Sequence, residues 1–130
     1  KFPLRKDGYS QMTSYGQAKL CNTLFANELQ RRYGSEGLTA CSLHPGSMVT
    51  TEIGRDSLLV RFAMLLVSPF TKTPEQGAAT SVVCAVHPDP TALAGRYLSH
   101  CQPVRMSREA ENEDVAKRLW ELTESWCPAA

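Results

Sequence analysis

Ser14-Tyr15-Gly16-Gln17-Ala18-Lys19-Leu20-Cys21-Asn22 places a phenol and an ammonium four residues apart in a run of good helix formers, and its reading decides the fold. Residues so spaced share one face of an α-helix. An ordinary phenol titrates near 10 and is a poor base at neutrality, but a neighbouring ammonium favours the phenolate. Each unit of lowering needs roughly 1.4 kcal/mol of extra interaction with the charged form, which one close, partly desolvated cation can supply. A phenol so tuned can take a proton from an alcohol or return one to a carbonyl. The bare Tyr-x-x-x-Lys pair is also what a solvated helix face shows, so the surrounding residues have to decide.

Outward from that pair the chain follows an α/β grammar. Helix formers without proline run from about Met12 to Tyr33, with Thr13 or Ser14 as caps and Gly34 as the stop. Leu20, Cys21, Leu24, Phe25 and Leu29 spread over a face wider than one packing seam needs, which predicts cover on two sides, by a sheet and by a partner. Leu38 to Leu43 is an apolar run of strand length, ended by His44-Pro45-Gly46. Thr73-Pro74-Glu75-Gln76 opens a second helix reaching about Val86: threonine caps, proline takes the first position and Gln76 reaches back. Gly95 to Ser99 reads as a last strand. Ser107 is placed to cap a final helix to Trp126, with Val115, Leu119 and Leu122 as its apolar stripe. Helix, buried strand, helix and strand in that order predict part of a parallel sheet.

Composition narrows the function classes. The chain has 130 residues, a formal net charge of +1, 42% hydrophobic and 21% charged residues, the balance of an ordinary globular domain. Lys1, Arg5 and Lys6 are too few to make a nucleic-acid footprint. Cys21, Cys41, Cys84, Cys101 and Cys127 fall on separate elements, odd in number and without Cys-x-x-Cys. That pattern is neither a disulfide framework nor a zinc site; it predicts reduced, mostly buried thiols in a cytoplasmic protein. His44 and His87 each precede a proline, which suits a capping or loop role better than metal ligation. No signal peptide or membrane-spanning run is read here. The longest apolar run, Leu58 to Val67, is about half a bilayer span and includes Arg61. Lys1 in place of methionine points to a piece of a longer protein.

The order Tyr15-x-x-x-Lys19, then Leu24-Phe25-Ala26-Asn27-Glu28-Leu29, then His44-Pro45-Gly46 resembles the C-terminal half of a short-chain dehydrogenase/reductase. It is most similar to the retinol dehydrogenase and WW domain-containing oxidoreductase branch. The resemblance covers about Tyr9 to Trp126 and includes Pro69-Phe70-Thr71-Lys72, Gln76-Gly77-Ala78-Ala79-Thr80 and Leu119-Trp120. It implies the last part of a doubly wound, Rossmann-type α/β domain that uses NAD or NADP to interconvert an alcohol and a carbonyl. It also implies that Tyr15 is the acid/base and that Lys19 both lowers its pKa and holds the nicotinamide ribose. Pro45 and Gly46 would end a strand where open α/β sheets bind ligands, with Met48 offering a main-chain contact to the carboxamide. A threonine after the turn would reach the cofactor: Thr50 by counting from the proline, Thr51 by matching Glu52, as if one residue were inserted.

In such a family the Leu58 to Val67 segment covers the substrate. Its apolar character implies a retinoid- or steroid-like molecule or contact with a membrane surface, against a plain packed helix. Residues outside this chain could tie it to an organelle membrane. The matching helices commonly form a dimer contact, so a homodimer of the whole protein is expected. The family's glycine-rich phosphate loop, Asn-Ala-Gly stretch and catalytic serine are absent from these 130 residues, with Ser10 and Ser14 too close to Tyr15 to serve. The alternative reading is therefore a catalytically silent fragment or isoform that acts by association through its helices.

Overall fold

Helix α1 spans Gln11–Tyr33 in the computed structural model, which describes residues 9–46 and 73–127. Its cap is Ser10, nearer the start than Thr13 or Ser14. Ser10 is extended, and its carbonyl accepts the first helical hydrogen bond from Ser14 N–H at 2.8 Å, while its side chain makes no capping bond. Gly34 caps the end of the helix, as the sequence predicts, but not in a left-handed conformation. It stays right-handed at φ −60 and leads into a 3₁₀ turn, Gly34–Glu36, which ends at Gly37 with φ 91. Only that second glycine occupies the left-handed region where a side chain would be strained.

The sheet is small and mixed, with strand order β1-β2-β3. Strand β1 is Ser42–His44, shorter than the apolar run predicts. Ahead of it Ala40 is held outside the ladder: its N–H donates to Gln30 Oε1 at 2.7 Å and its carbonyl accepts from Gly95 N–H at 2.9 Å. Strand β2, Tyr97–Ser99, lies parallel to β1, with Leu43 beside Leu98. Strand β3, Gln102–Val104, is antiparallel to β2 and was not legible in the sequence. The two are joined through His100 and Cys101, both left-handed at φ 54 and 63, where hairpin turns ordinarily use Asn-Gly. Pro103, which lacks an N–H, is tolerated because β3 is the edge strand.

Helix α2, Pro74–Val86, has the predicted capping box. Gln76 N–H donates to Thr73 Oγ1 at 3.2 Å, and Thr73 N–H donates to Gln76 Oε1 at 3.0 Å. Helix α3, Glu113–Trp126, starts later than expected and is capped by Asn112, whose Oδ1 accepts from Val115 N–H at 3.1 Å. Ser107 caps a preceding turn instead, accepting from Ala110 N–H at 3.3 Å. The buried side of α3 is Ala116 and Trp120. Val115 is exposed and, with Leu119, Leu122, Cys21 and Leu24, lines an open groove of about 960 Å³.

The inner stripe of α1 is Ser14, Gln17, Cys21, Leu24 and Glu28, more polar than its apolar residues suggest; of these only Leu24 and Glu28 are fully buried. Its second side is covered by α3. The Phe25 ring stacks on Trp120 at 5.0 Å, the Arg32 guanidinium lies 4.9 Å from the Trp120 ring, and Trp120 Nε1–H donates to Glu124 at 2.6 Å. Asn27 ties α1 to the loop before α3 by donating to the Ala110 carbonyl at 3.0 Å. Leu98, wholly buried, is the centre of the sheet's own packing.

Glu28 is 1% exposed and ionised between two arginines. Arg31 donates to both carboxylate oxygens, at 2.8 and 2.6 Å, and Arg32 donates to one at 2.7 Å. The Arg31 hydrogen bonds outweigh burial, and with those of Arg32 they hold the Glu28 carboxyl at about 2. A carboxyl lowered in the folded state adds stability above its unfolded pKa and loses it as pH falls through the folded one. Here that contribution is present at neutral pH and is lost as pH falls from about 4.5 to 2. Urea unfolding should therefore show stability declining through that acid window, and Glu28→Gln should both weaken the fold at pH 7 and flatten the decline. An unchanged acid profile in Glu28→Gln would show that the pair does not set it.

Candidate active site

Tyr15 and Lys19 meet as the helical spacing requires. They sit one turn apart on the outer face of α1, with Lys19 Nζ 5.3 Å from the centre of the Tyr15 ring. Tyr15 is 62% exposed, so its hydroxyl is open to an incoming molecule. The ammonium lies over the ring face, an attraction between cation and π electrons that keeps a positive charge beside the phenol. Gly16 leaves the backbone next to the phenol bare: a Cβ there would meet nothing within 4 Å. Glycine inside a helix costs about 1 kcal/mol relative to alanine, and no packing among the described residues calls for it.

On the inner side of α1, Ser14 Oγ and Gln17 Oε1 are buried without a hydrogen-bond partner among the described residues. The outer face with Tyr15 and Lys19 is thus carried on a helix whose inner face is polar at this end and apolar only further along, at Leu24. Lys19 also borders a groove of about 330 Å³ with Thr23, Tyr97, Arg105 and Ser107, between α1 and the loop that follows β3. Lys19 and Arg105 bring positive charge to its rim.

Pro45 and Gly46 directly follow β1, at the carboxyl end of a strand that runs parallel to its neighbour. Gly46 is buried with φ 100, a conformation that side chains disfavour, so the turn needs glycine for its backbone path. Met48, Thr50 and Thr51 lie outside the described residues, as does the Leu58 to Val67 segment. Tyr15, Lys19 and Gly46 have the chemistry to hold the nicotinamide end of a dinucleotide: a free hydroxyl, a free ammonium and a turn that allows close backbone approach. Nothing in the chain's sequence offers a glycine-rich loop for the pyrophosphate.

All five cysteines are free. They are less buried than expected, since Cys21, Cys41 and Cys84 are half-buried while Cys101 and Cys127 are exposed. Among the described residues no group of His, Cys, Asp or Glu is placed to hold a metal ion, and no helix is long and apolar enough to cross a membrane. His87 caps the C-terminus of α2, and His44 is the exposed last residue of β1. Sequence reasoning missed Glu28 as a buried charge, because a glutamate followed at three and four residues by arginines looks the same on a solvated helix face.

No protein-family model matches the chain. Among curated proteins, it is 42% identical over 119 residues to the WW domain-containing oxidoreductase of Homo sapiens, covering 92% of this chain and 29% of that protein. It is 42% identical over 115 residues to retinol dehydrogenase 12 of Mus musculus, covering 88% of this chain and 36% of that protein. Retinol dehydrogenase 11 of Homo sapiens is 41% identical over 115 residues, with the same coverage of 88% and 36%. The chain spans about a third of the length of the curated relatives it matches. Likeness at this level over nine-tenths of its length makes the chain a homologue of retinol dehydrogenases and WW domain-containing oxidoreductases, which are members of the short-chain dehydrogenase/reductase family.

Proposed function

We propose that this chain is the C-terminal portion of an oxidoreductase domain that interconverts an alcohol and a carbonyl with NAD or NADP. The observation that carries the reading is the exposed Tyr15 phenol with the Lys19 ammonium 5.3 Å from its ring centre. A bound nicotinamide dinucleotide supplies or accepts the hydride. Tyr15 Oη handles the proton, donating it to the carbonyl oxygen during reduction and taking it from the hydroxyl during oxidation. Lys19 places a positive charge beside the phenol and offers N–H donors to the ribose. Gly46 lets the strand-end backbone approach the nicotinamide, and the residues after it, Met48 and Thr50 or Thr51, complete that contact.

In the whole protein the sheet would be doubly wound, in keeping with the parallel β1–β2 pair and the packing of both α1 and α2 against β1. The substrate class we favour is a small apolar alcohol or carbonyl compound such as a retinoid or steroid, given the apolar run from Leu58 to Val67 and the printed names of the retinol dehydrogenase relatives. A cytosol-facing location agrees with five free thiols. Contact with a membrane surface is the companion proposal for the same apolar run. Exposed Val82 and Val86 on α2, with the open groove between α1 and α3, leave apolar surface for a second copy, and a homodimer is our reading of the assembly.

Tyr15→Phe in the full-length protein should lower kcat by about 10²- to 10⁴-fold, the usual worth of a positioned acid/base, while dinucleotide affinity stays nearly unchanged. Lys19→Ala should weaken both. Equal turnover by wild type and Tyr15→Phe would reject the assignment. The 130-residue chain alone, without a pyrophosphate-binding loop, should show no saturable NAD(P)H binding in the micromolar range by fluorescence titration. Light scattering of the full-length protein at tens of micromolar should give the mass of a dimer, and a monodisperse monomer would count against that assembly.

A further inference from the structure

A row of every fourth residue on α1, Tyr15, Lys19, Thr23 and Asn27, winds from the exposed phenol towards the loop that follows β3. Asn27 anchors that loop at two points, donating from Nδ2 to the Ala110 carbonyl at 3.0 Å and to Met106 Sδ at 3.4 Å. The anchored loop is one wall of the groove of about 330 Å³ that Lys19 borders, and α1 is the other. Small-molecule sites begin at about this size, roughly 300 Å³.

The lining sorts by chemistry. Lys19 and Arg105 bring two positive charges, Thr23 and Tyr97 bring two hydroxyls, and Leu20 and Met106 form an apolar strip. Arg31, Arg32 and Lys117 are each paired with a glutamate, whereas Lys19 and Arg105 meet no carboxylate among the described residues. No acid lines the groove. Glu109, on the same loop, is engaged elsewhere: hydrogen bonds from its own backbone N–H and from the Ser107 hydroxyl hold its carboxyl below the usual range. Two unmatched cations facing one cleft repel each other and are relieved by an anion between them.

We propose that this groove binds a phosphate monoester, its phosphate between Lys19 and Arg105 and its organic group along Leu20 and Met106. A guanidinium presents a planar fork of donors that matches phosphate oxygens, and an ammonium adds a compact charge. The Thr23 and Tyr97 hydroxyls are further donors on the walls. A bare inorganic anion would leave the apolar strip in water, so the organic group is part of what the groove selects. The site goes beyond the redox reading and does not require Tyr15 to move a proton. It shares Lys19 with that reading, so a bound phosphate and a nicotinamide ribose compete for one ammonium.

The test is calorimetric titration of the full-length protein with phenyl phosphate, inorganic phosphate and phenol at low ionic strength, where an exposed site is least screened. Phenyl phosphate should bind most tightly, inorganic phosphate more weakly, and phenol not measurably. Arg105→Ala should weaken phenyl phosphate by about 10- to 100-fold, the worth of one charge-assisted contact, and Arg105→Lys should lose less, both with wild-type Tm. Tyr15→Phe should leave phenyl phosphate affinity intact, so failure of the redox reading and failure of this site are read separately. Undiminished affinity in Arg105→Ala, the result if the phosphate occupied only a dinucleotide's phosphate site, would overturn the proposal. So would equal affinities for inorganic and phenyl phosphate, or no binding of either.

Discussion

The contact between α1 and α3 is the constraint on which the described structure depends. A three-stranded sheet of three-residue strands buries little by itself, and Leu98 is its one wholly enclosed side chain. Most of the order comes from holding a 23-residue helix against the sheet on one side and against Trp120 on the other. Trp120 does this through three kinds of interaction at once: stacking on Phe25, a cation over its face from Arg32, and an indole hydrogen bond to Glu124. Arg32 also reaches Glu28, so the buried carboxylate and the tryptophan are joined by a single side chain.

A buried carboxylate is stable only with its charge matched and its oxygens satisfied. Two arginines do both for Glu28, and they lie in the last turn of α1, where the helix dipole also favours positive charge. The polar inner face is thus tolerated without losing the helix, and the outer face is left free for Tyr15 and Lys19. Rigidity at one end of α1 and exposure at the other belong to the same design. The phenol is held by a helix fixed elsewhere, which lets it remain uncovered.

The α2 side of the sheet has a different character. There the hydroxyl of Thr80 holds a turn whose backbone conformation is unfavourable for histidine and cysteine. On the α1 side the polar bonds are shared among Gln30, Asn27 and the Glu28 ion pair.

Much of this was legible in the residues themselves. The Thr73-Pro74-Gln76 cap, the helix reaching Val86 and the pairing of Tyr15 with Lys19 all follow from interactions among neighbours within one turn, so local sequence determines them. The likeness to known oxidoreductases was also present in the order of short motifs. What the tertiary structure alone decided are the contacts between residues far apart. Asn112 rather than Ser107 starts α3, because the loop before it is tied back to Asn27. Strand β3 forms because Thr80, on another element, stabilises a turn that its own residues do not favour. Trp120 and Ala116, not Val115 and Leu122, face the core, since a stripe's orientation depends on the surface it meets. Spacing along a chain carries no record of which helix will fold over which strand.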